Sequence, residues 1–240
     1  PKKRLQLIKK IVKIVLGALL LLFGLGAILF AIYNEPLPSG IKSQNADALA
    51  MKMLTALHYD AYKETRFLEW SFANGKHHYR WDRQIDTVFV AWSDYQVNLD
   101  LKAPSTSSVA KGKVPLDGEE REKLIKKATS YFNNDSFWLV APFKIFDPGT
   151  ERSIVTLKDG TQELLVTYTS GGDTPGDSYL WKLQPNGFPI SFKMWVSIIP
   201  IGGVEASWDD WQIMESGAFL PSKHSIGPIT LDMGDVRGYQ

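Results

Sequence analysis

The sequence of 240 residues contains no cysteine. This absence excludes disulfide bonds, thiolate metal sites and a cysteine nucleophile. It also excludes a lipid-modified cysteine as the means of attaching the chain to a membrane. In an oxidising compartment such a chain depends on its core alone to hold the fold together.

Residues typical of metal binding and catalysis are also scarce. The chain has four histidines, no G-x-S-x-G nucleophile elbow and no G-x-x-x-x-G-K-[ST] phosphate loop. His78 and Asp82 share one face of the extended segment 77–82, but they supply too few ligands for a zinc site. The Gly- and Asp-rich loop 170–177 lacks the regular ligand spacing of known calcium loops. We therefore predict that the protein binds no metal and no cofactor.

The sequence offers no paired catalytic carboxylates either. Asp209 and Asp210 are adjacent, so on a strand they point to opposite faces and cannot act together as acid and base. We predict that the protein is not an enzyme and has no catalytic residues. A cell-envelope hydrolase is kept as an alternative.

Acidic residues are absent from the first 13 positions, which hold six basic residues. The other 227 residues hold 21 basic and 26 acidic residues, a formal charge of −5. A basic end followed by a mildly acidic region argues against a nucleic-acid partner, which requires a basic surface on the folded part of the chain.

Residues 14–33 contain no charge. As a helix they span about 30 Å, the thickness of the hydrocarbon core of a bilayer. A cleaved signal peptide is the competing interpretation, but its apolar region is normally about 7–15 residues long and ends at small residues. Here the run ends at bulky Tyr33, and the chain begins at Pro1, as expected if only an initiator methionine is removed. We therefore favour a retained signal anchor.

The charge asymmetry sets the expected orientation of this anchor. Basic residues stay on the cytoplasmic side of a membrane, which predicts a single-pass protein of the bacterial inner membrane with a cytoplasmic N-terminus and a periplasmic C-terminal domain. The predicted segments are a basic tail and transmembrane anchor (1–33), a proline-stiffened linker (34–42) and an extracytoplasmic domain (43–240). The bilayer, contacted through residues 14–33, is the first predicted partner.

Small residues recur every seven positions along the predicted anchor, at Gly17, Gly24 and Ala31. Small residues in register allow another transmembrane helix to approach closely. The spacing predicts packing against a helix partner, although glycine and alanine are also common in transmembrane helices in general.

The periodicity of apolar residues predicts two helices after the linker. Residues 43–62 repeat apolar side chains at helical spacing, and a second helix begins at Asp117 with a capping-box pattern and ends at Asn133 and Asn134. The intervening residues 104–115 are predicted to form a polar loop.

Alternating segments predict an antiparallel sheet of about ten strands. Turn dipeptides typical of hairpins occur at residues 74–75, 159–160 and 186–187. Further predicted strands occupy residues 88–92, 95–101, 178–183, 190–199, 203–214 and 229–233. A meander of this kind predicts a curved sheet or barrel. The predicted class is therefore mainly β (α+β), with two helices covering the concave face of a half-open barrel.

The order of these elements, together with the FWL-x-x-P-F segment at residues 137–143, resembles the LolA/LolB-type lipoprotein carriers. The resemblance covers roughly residues 43–233. It implies an incomplete barrel that is lined by apolar side chains, lidded by helices and able to hold acyl chains. The strings SFWLVAPFK and VTYTSGGDTPGDSY also resemble membrane-anchored envelope proteins of Bacteroidota that have no known activity.

Aromatic residues are abundant, with 8 Trp, 9 Tyr and 12 Phe. Most of them are expected to fill the core of a domain of this size. A curved sheet under only two helices nevertheless leaves apolar concave surface, which predicts a ligand cavity. The predicted lining residues are Trp70, Phe72, Trp81, Phe137, Trp138, Phe143, Trp181, Met194, Ile198 and Trp208.

Two functions other than catalysis follow from these features. The first is an anchored extracytoplasmic domain that binds a lipid, a lipoprotein acyl chain or another amphiphile in the cavity. The alternative is a non-enzymatic accessory or assembly subunit of a membrane complex in the cell envelope.

Overall fold

A computed structural model describes residues 2–171 and 174–240 of the chain. The described residues form antiparallel β-sheets and four α-helices, the first of which is the apolar N-terminal one. The predicted fold class, mainly β with an N-terminal apolar helix and a curved antiparallel sheet, is confirmed.

Helix α1 (Lys2–Tyr33) contains the predicted apolar run. Its segment Lys9–Tyr33 is 25 residues long, or about 38 Å, and is not buried against the rest of the protein. By length and composition this helix fits a membrane anchor or a signal sequence.

The helical region predicted over residues 43–62 is two helices rather than one. Helix α2 (Gln44–Ala56) and helix α3 (Tyr59–Glu64) are separated at His58, whose φ of 54° is left-handed. A left-handed residue cannot continue an α-helix, so the chain changes direction there.

Helix α4 (Gly118–Val140) is longer than predicted, because Asn133 and Asn134 do not end it. Its buried face continues through Asp135, Ser136, Leu139 and Val140. The burial of this last turn offsets the weak helix propensity of the two asparagines. A 3₁₀ turn at Ala141–Phe143 follows directly.

The described residues also form fifteen strands. They are β1 (Phe67–Phe72), β2 (His77–Asp82), β3 (Thr87–Trp92), β4 (Tyr95–Asp100), β5 (Ser108–Lys111), β6 (Val114–Pro115), β7 (Thr150–Thr156), β8 (Gln162–Tyr168), β9 (Ser178–Leu183), β10 (Pro189–Trp195), β11 (Val204–Ser207), β12 (Asp209–Ile213), β13 (Phe219–Ile226), β14 (Ile229–Asp232) and β15 (Arg237–Tyr239). All three predicted hairpins are present, as β1–β2, β7–β8 and β9–β10.

Three strand predictions need correction. The predicted loop 104–115 contains β5 and β6. The predicted strand 203–214 is divided at Trp208 into β11 and β12, which belong to different sheets. The predicted strand 190–199 ends at Trp195, where the apolar run leaves the sheet as a loop.

The strands form three sheets that follow one another around a curve. Their orders are β15-β1-β2-β3-β4-β5-β6, then β12-β13-β14, then β11-β10-β9-β8-β7. A hydrogen bond from the Ser71 amide to the Met233 carbonyl (2.9 Å) joins the first sheet to the end of β14, and one from Trp208 to Ile190 (2.8 Å) joins the last two sheets. Strands β6 and β7 lie at the two ends of the series, so the described strands form no closed barrel.

One large hydrophobic core lies between the helices and the sheets. Alternate residues of β1 and β3, such as Leu68, Trp70, Val88 and Val90, are buried in it, in keeping with the two-residue period of a strand. Helix α4 contacts β4, β5 and β13, while α2 contacts β7 and β8. Helix α2 therefore packs near the β7 end of the series, while α4 extends from the first sheet to the middle one.

Residues 34–42 are not a free linker; they cross the outer face of the β7–β11 sheet. At the near end the Trp195 indole N–H donates to the Glu35 carbonyl at 2.8 Å. At the far end Ile41 and Ile154 exchange two backbone hydrogen bonds of 2.9 and 3.0 Å. Beneath the segment lies a small apolar cluster of Val155, Leu165 and Leu180. We call residues 34–42 the exit segment.

Candidate functional site

Most of the ten residues predicted to line a cavity are in the main core. Trp70, Phe72, Phe143, Trp181, Met194 and Trp208 are buried, and Trp81, Phe137 and Trp138 are half-buried and pack against the same core. Ile198 differs: it is 70 % exposed in the loop between β10 and β11 and lines no interior surface. The predicted strand 190–199 included Ile198, but β10 ends at Trp195 and leaves this residue in the loop.

The buried aromatic side chains occupy the concave space themselves. Trp70 stacks on Tyr79 with ring centroids 4.7 Å apart, and Phe137 lies 4.7 Å from Tyr179. Two clefts described for this structure, of about 610 and 300 Å³, are both open and lie beside the exit segment. Neither is lined by any of the ten predicted residues.

Several polar groups in this interior have no hydrogen-bond partner. Among the described residues, seven buried side-chain atoms have no partner within hydrogen-bond distance: the indole nitrogens of Trp70, Trp81, Trp92, Trp181 and Trp208, the hydroxyl of Tyr168 and Nε2 of His224. An unpaired buried donor or acceptor costs about 1–3 kcal/mol. Native proteins pair most such groups, so a ligand oxygen that reached one of these donors would supply the missing partner.

Three of these groups belong to side chains that contact α4 at two points along its length. Towards its middle, Phe132 contacts Trp81 (5.2 Å between ring centroids) and Trp70 (6.2 Å). Towards its end, Trp138 lies 5.2 Å from His224. Displacement of this one helix would therefore remove its contacts with Trp70 and Trp81 at one point and with His224 at the other.

His224, at the second of these points, is fully buried. Its Nδ1 donates to the Ser207 carbonyl at 3.0 Å, and its ring lies 4.5 Å from Trp208. Burial lowers the pKa of His224 to about 4, against the weaker opposite effect of the Ser207 and Trp138 backbones. The ring is therefore neutral at physiological pH.

A polar cluster that the sequence analysis missed connects α4 to β2. Oδ2 of buried Asp135 accepts hydrogen bonds of 2.6 Å from both the Tyr79 hydroxyl and His77 Nδ1. Oδ1 accepts a third, of 2.8 Å, from the Asn134 side chain. Burial raises the pKa of Tyr79 above its usual value, and the Asp135 carboxylate raises it further. Tyr79 is therefore a permanent donor, and the cluster acts as a tether for α4.

The metal candidates form no binding site in the described part of the chain. His78 is exposed, and the Asp82 carboxylate binds the Arg66 guanidinium at 2.9 Å, a contact that lowers the pKa of Asp82. No group of three His, Asp or Glu side chains suited to a metal occurs among the described residues. In the calcium candidate loop 170–177, Gly172 and Asp173 lie outside those residues.

Comparison with known proteins finds similarity at the level of structure only. No protein-family model and no curated protein matches the chain. A crystal structure of a DUF1329 family protein from Desulfovibrio piger aligns with a TM-score of 0.40 and 9 % sequence identity, covering 82 % of this chain and 93 % of that one. The resemblance to the LolA/LolB-type carriers stays a prediction from the sequence.

Proposed function

We propose that the protein is an anchored, non-enzymatic domain of the bacterial inner membrane that binds a lipid, a lipoprotein acyl chain or another amphiphile between α4 and the concave sheet. Helix α1 supplies the anchor, with the N-terminus in the cytoplasm and the domain in the periplasm. The observation that carries the proposal is the set of buried indole N–H groups without hydrogen-bond partners beside a large apolar core, among them those of Trp70 and Trp81, whose rings contact Phe132 of α4.

An amphiphile matches this interior because it carries both an apolar chain and polar oxygen atoms. Each methylene group transferred from water to the core contributes about 0.8 kcal/mol, and ester or carboxyl oxygens are acceptors for indole N–H groups. A purely apolar ligand would leave those donors unpaired, whereas an amphiphile pairs them and fills the space that α4 vacates.

Helix α4 is the element that has to move. Both of its ends continue into short irregular segments, residues 116–117 before it and the 3₁₀ turn Ala141–Phe143 after it. Its inner face is apolar apart from the tether at Asp135 and the neighbouring Ser136. Since apolar contacts have no directional requirement, acyl chains can replace them at little net cost.

Photo-crosslinking tests this proposal on the full chain. The protein in lipid nanodiscs is given a diazirine-labelled fatty acid, irradiated and digested, and the adducts are assigned by mass spectrometry. We expect adducts in α4 and in β1, β2 and β9, in addition to those that any anchored protein acquires on α1. Adducts confined to α1 and to the outer surface would refute binding between α4 and the sheet.

Two single substitutions make the test specific for the indole donors. Trp181→Phe removes an unpaired interior N–H and should weaken fatty-acid uptake several-fold. Trp195→Phe is the matched control, because the Trp195 N–H already donates to the Glu35 carbonyl outside the core. Equal uptake by both variants would contradict a role for the interior donors.

An assembly role is the second candidate. A Cβ atom added at Gly17 or at Gly24 would meet nothing within 4 Å, so the small-residue face of α1 is open to a second helix. On this alternative the protein acts through a transmembrane partner, and the interior is structural.

A further inference from the structure

The end of α1 is hydrogen-bonded to the loop that joins β10 to β11. Asn34 Oδ1 accepts a hydrogen bond from the Gly202 amide at 2.9 Å. The next residue, Glu35, donates its amide to the Gly202 carbonyl at 3.0 Å. We call residues 196–203 the apolar loop. The two residues to which it is bonded, Asn34 and Glu35, directly follow Tyr33, the last residue of α1.

This contact depends on the absence of side chains from two positions of the loop. A Cβ atom on Gly202 would lie 2.5 Å from Trp195 Cδ1 and 2.6 Å from the Glu35 carbonyl oxygen, and one on Gly203 would lie 2.6 Å from Glu35 Cβ. The glycine pair therefore allows the start of the exit segment to lie directly against the loop. Lys193 holds the same residue from the other side, with Nζ 2.7 Å from the Glu35 carboxylate.

The apolar loop presents aliphatic side chains and no charge. Its sequence is VSIIPIGG, in which Val196 is buried, Ile198 is 70 % exposed and Ile201 lines a cleft together with Tyr33. Two of its backbone amides hold it in place: that of Ser197 donates to the Asp177 side chain (Oδ1, 2.9 Å), and that of Gly203 donates to the Met194 carbonyl at 3.0 Å. The exposed isoleucine therefore projects from a fixed turn.

The position of the loop relative to α1 identifies what covers it. Two residues of extended chain reach only about 7 Å, so a loop bonded to residues 34 and 35 lies at the level where the helix leaves the hydrocarbon. Tyr33 is a residue typical of that level, since tyrosine and tryptophan concentrate at membrane–water interfaces. An uncharged aliphatic turn at the same depth meets lipid.

From this geometry we infer that residues 196–203 are a second membrane contact, in which Ile198 and Ile201 enter the bilayer interface beside the end of α1. This inference rests on the anchoring role of α1 proposed above. It adds that the domain is held at two points, so that its tilt on the membrane is fixed and it does not hang from a flexible linker.

The absence of cysteine allows a direct test with single-cysteine variants. Ile198→Cys is labelled with the environment-sensitive fluorophore NBD in the full chain and reconstituted into phosphatidylethanolamine–phosphatidylglycerol vesicles. Val114→Cys on β6 is the matched control, because Val114 is also highly exposed (64 %) but is far along the sheet series from the apolar loop. Quenching is measured with a nitroxide-labelled phospholipid and, separately, with aqueous iodide.

We expect the probe at position 198 to be quenched several-fold more by the nitroxide lipid, and several-fold less by iodide, than the probe at position 114. Equal quenching at both positions in protein that floats with the vesicles would overturn the inference and leave the anchor intact. Protein that fails to float with the vesicles would overturn the anchor, and the second contact with it.

Discussion

The Tyr79 hydroxyl donates a 2.6 Å hydrogen bond to the carboxylate of Asp135, 56 residues further along the chain. The bond joins β2 to the buried face of α4, where the Asp135 side chain is only 2 % exposed. Because most neighbouring contacts of α4 are apolar, this pair fixes the position of the helix along the sheet in a way that non-directional packing cannot.

Substitution of Tyr79 by phenylalanine should lower the stability of the domain without removing its ring contacts. The variant loses a hydrogen bond to a charged acceptor, which contributes about 1.5–3 kcal/mol. We expect a decrease of this size in the free energy of unfolding, measured by urea titration of the full chain in detergent with tryptophan fluorescence as the signal.

Tyr95→Phe is the control for this measurement. It removes a hydroxyl from a half-buried ring on β4 that packs 5.7 Å from Trp92, and it should change the free energy of unfolding by less than about 1 kcal/mol. A Tyr79 variant as stable as this control would show that Asp135 is held in place by His77 and Asn134 alone.

The hairpins were predictable because their signal is local. At Asn74 and Gly75 the chain adopts positive φ angles of 58° and 75°, which these two residue types tolerate better than others. Two alternating segments beside such a turn pair with each other whatever the rest of the fold does.

The end of α4 was not predictable in this way. Two consecutive asparagines favour the end of a helix by intrinsic propensity. Whether the helix continues for another turn depends on the surface against which that turn packs. Here Phe137 and Trp138 pack against the aromatic core. Tertiary burial therefore decided the boundary.

The polar tether and the course of the exit segment also depend on contacts distant in sequence. His77 and Asp135 are separated by 58 residues, and Glu35 and Trp195 by 160. The sequence placed His78 and Asp82 on one face of a strand, because the two-residue period of a strand relates only residues of the same segment. It held no information on which histidine meets a carboxylate from another element.

The buried, neutral His224 should make stability depend on pH. Its pKa of about 4 in the folded state lies below the 6.5 of an unperturbed histidine. Between these two pH values the unfolded chain therefore binds a proton that the folded chain does not. The contribution of the neutral, buried ring to the free energy of unfolding is present in full above pH 6.5 and is lost as the pH falls from 6.5 towards 4. The loss between pH 7 and pH 5 is about 2 kcal/mol.

Comparison with a variant isolates this effect from the titration of carboxylates. His224→Asn retains a donor for the Ser207 carbonyl and removes the titrating group. We expect the free energy of unfolding of this variant to fall by about 2 kcal/mol less than that of the wild type between pH 7 and pH 5. His78→Asn, at an exposed position, should follow the wild type; identical pH profiles for all three proteins would contradict the assignment.

The exit segment should loosen when Gly202 is replaced by alanine. The added Cβ atom would overlap the Trp195 ring and the Glu35 carbonyl oxygen, both within 2.6 Å of its position. One of the two has to move, and the Trp195–Glu35 hydrogen bond breaks in either case. We expect at least a ten-fold faster amide exchange of Glu35, measured by hydrogen–deuterium exchange and mass spectrometry in nanodiscs.

Gly26→Ala serves as the control, because a Cβ atom there meets nothing within 4 Å. It should leave exchange in residues 34–42 unchanged. Unchanged exchange in the Gly202 variant as well would mean that the exit segment does not depend on its contact with the apolar loop.

The small-residue face of α1 supports a final prediction about a helix partner. Residues seven apart on an α-helix differ by only about 20° in direction, so Gly17 and Gly24 lie on one face. Leucine at both positions would keep a second helix several ångströms further away and remove close backbone packing. If the protein has a transmembrane partner, the double variant should lose stoichiometric co-purification of that partner from detergent-solubilised membranes.

Gly26 provides the matched control, since nine residues along a helix place it about 180° from Gly17. Gly26→Leu adds one leucine to the opposite face, where the double variant adds two to the small-residue face, and it should retain the partner. Loss in the double variant with retention in the control identifies a packed face and favours the assembly role. Loss of the partner in both variants would attribute the effect to the hydrophobicity of the helix. Retention in both would contradict the predicted packing against a helix partner.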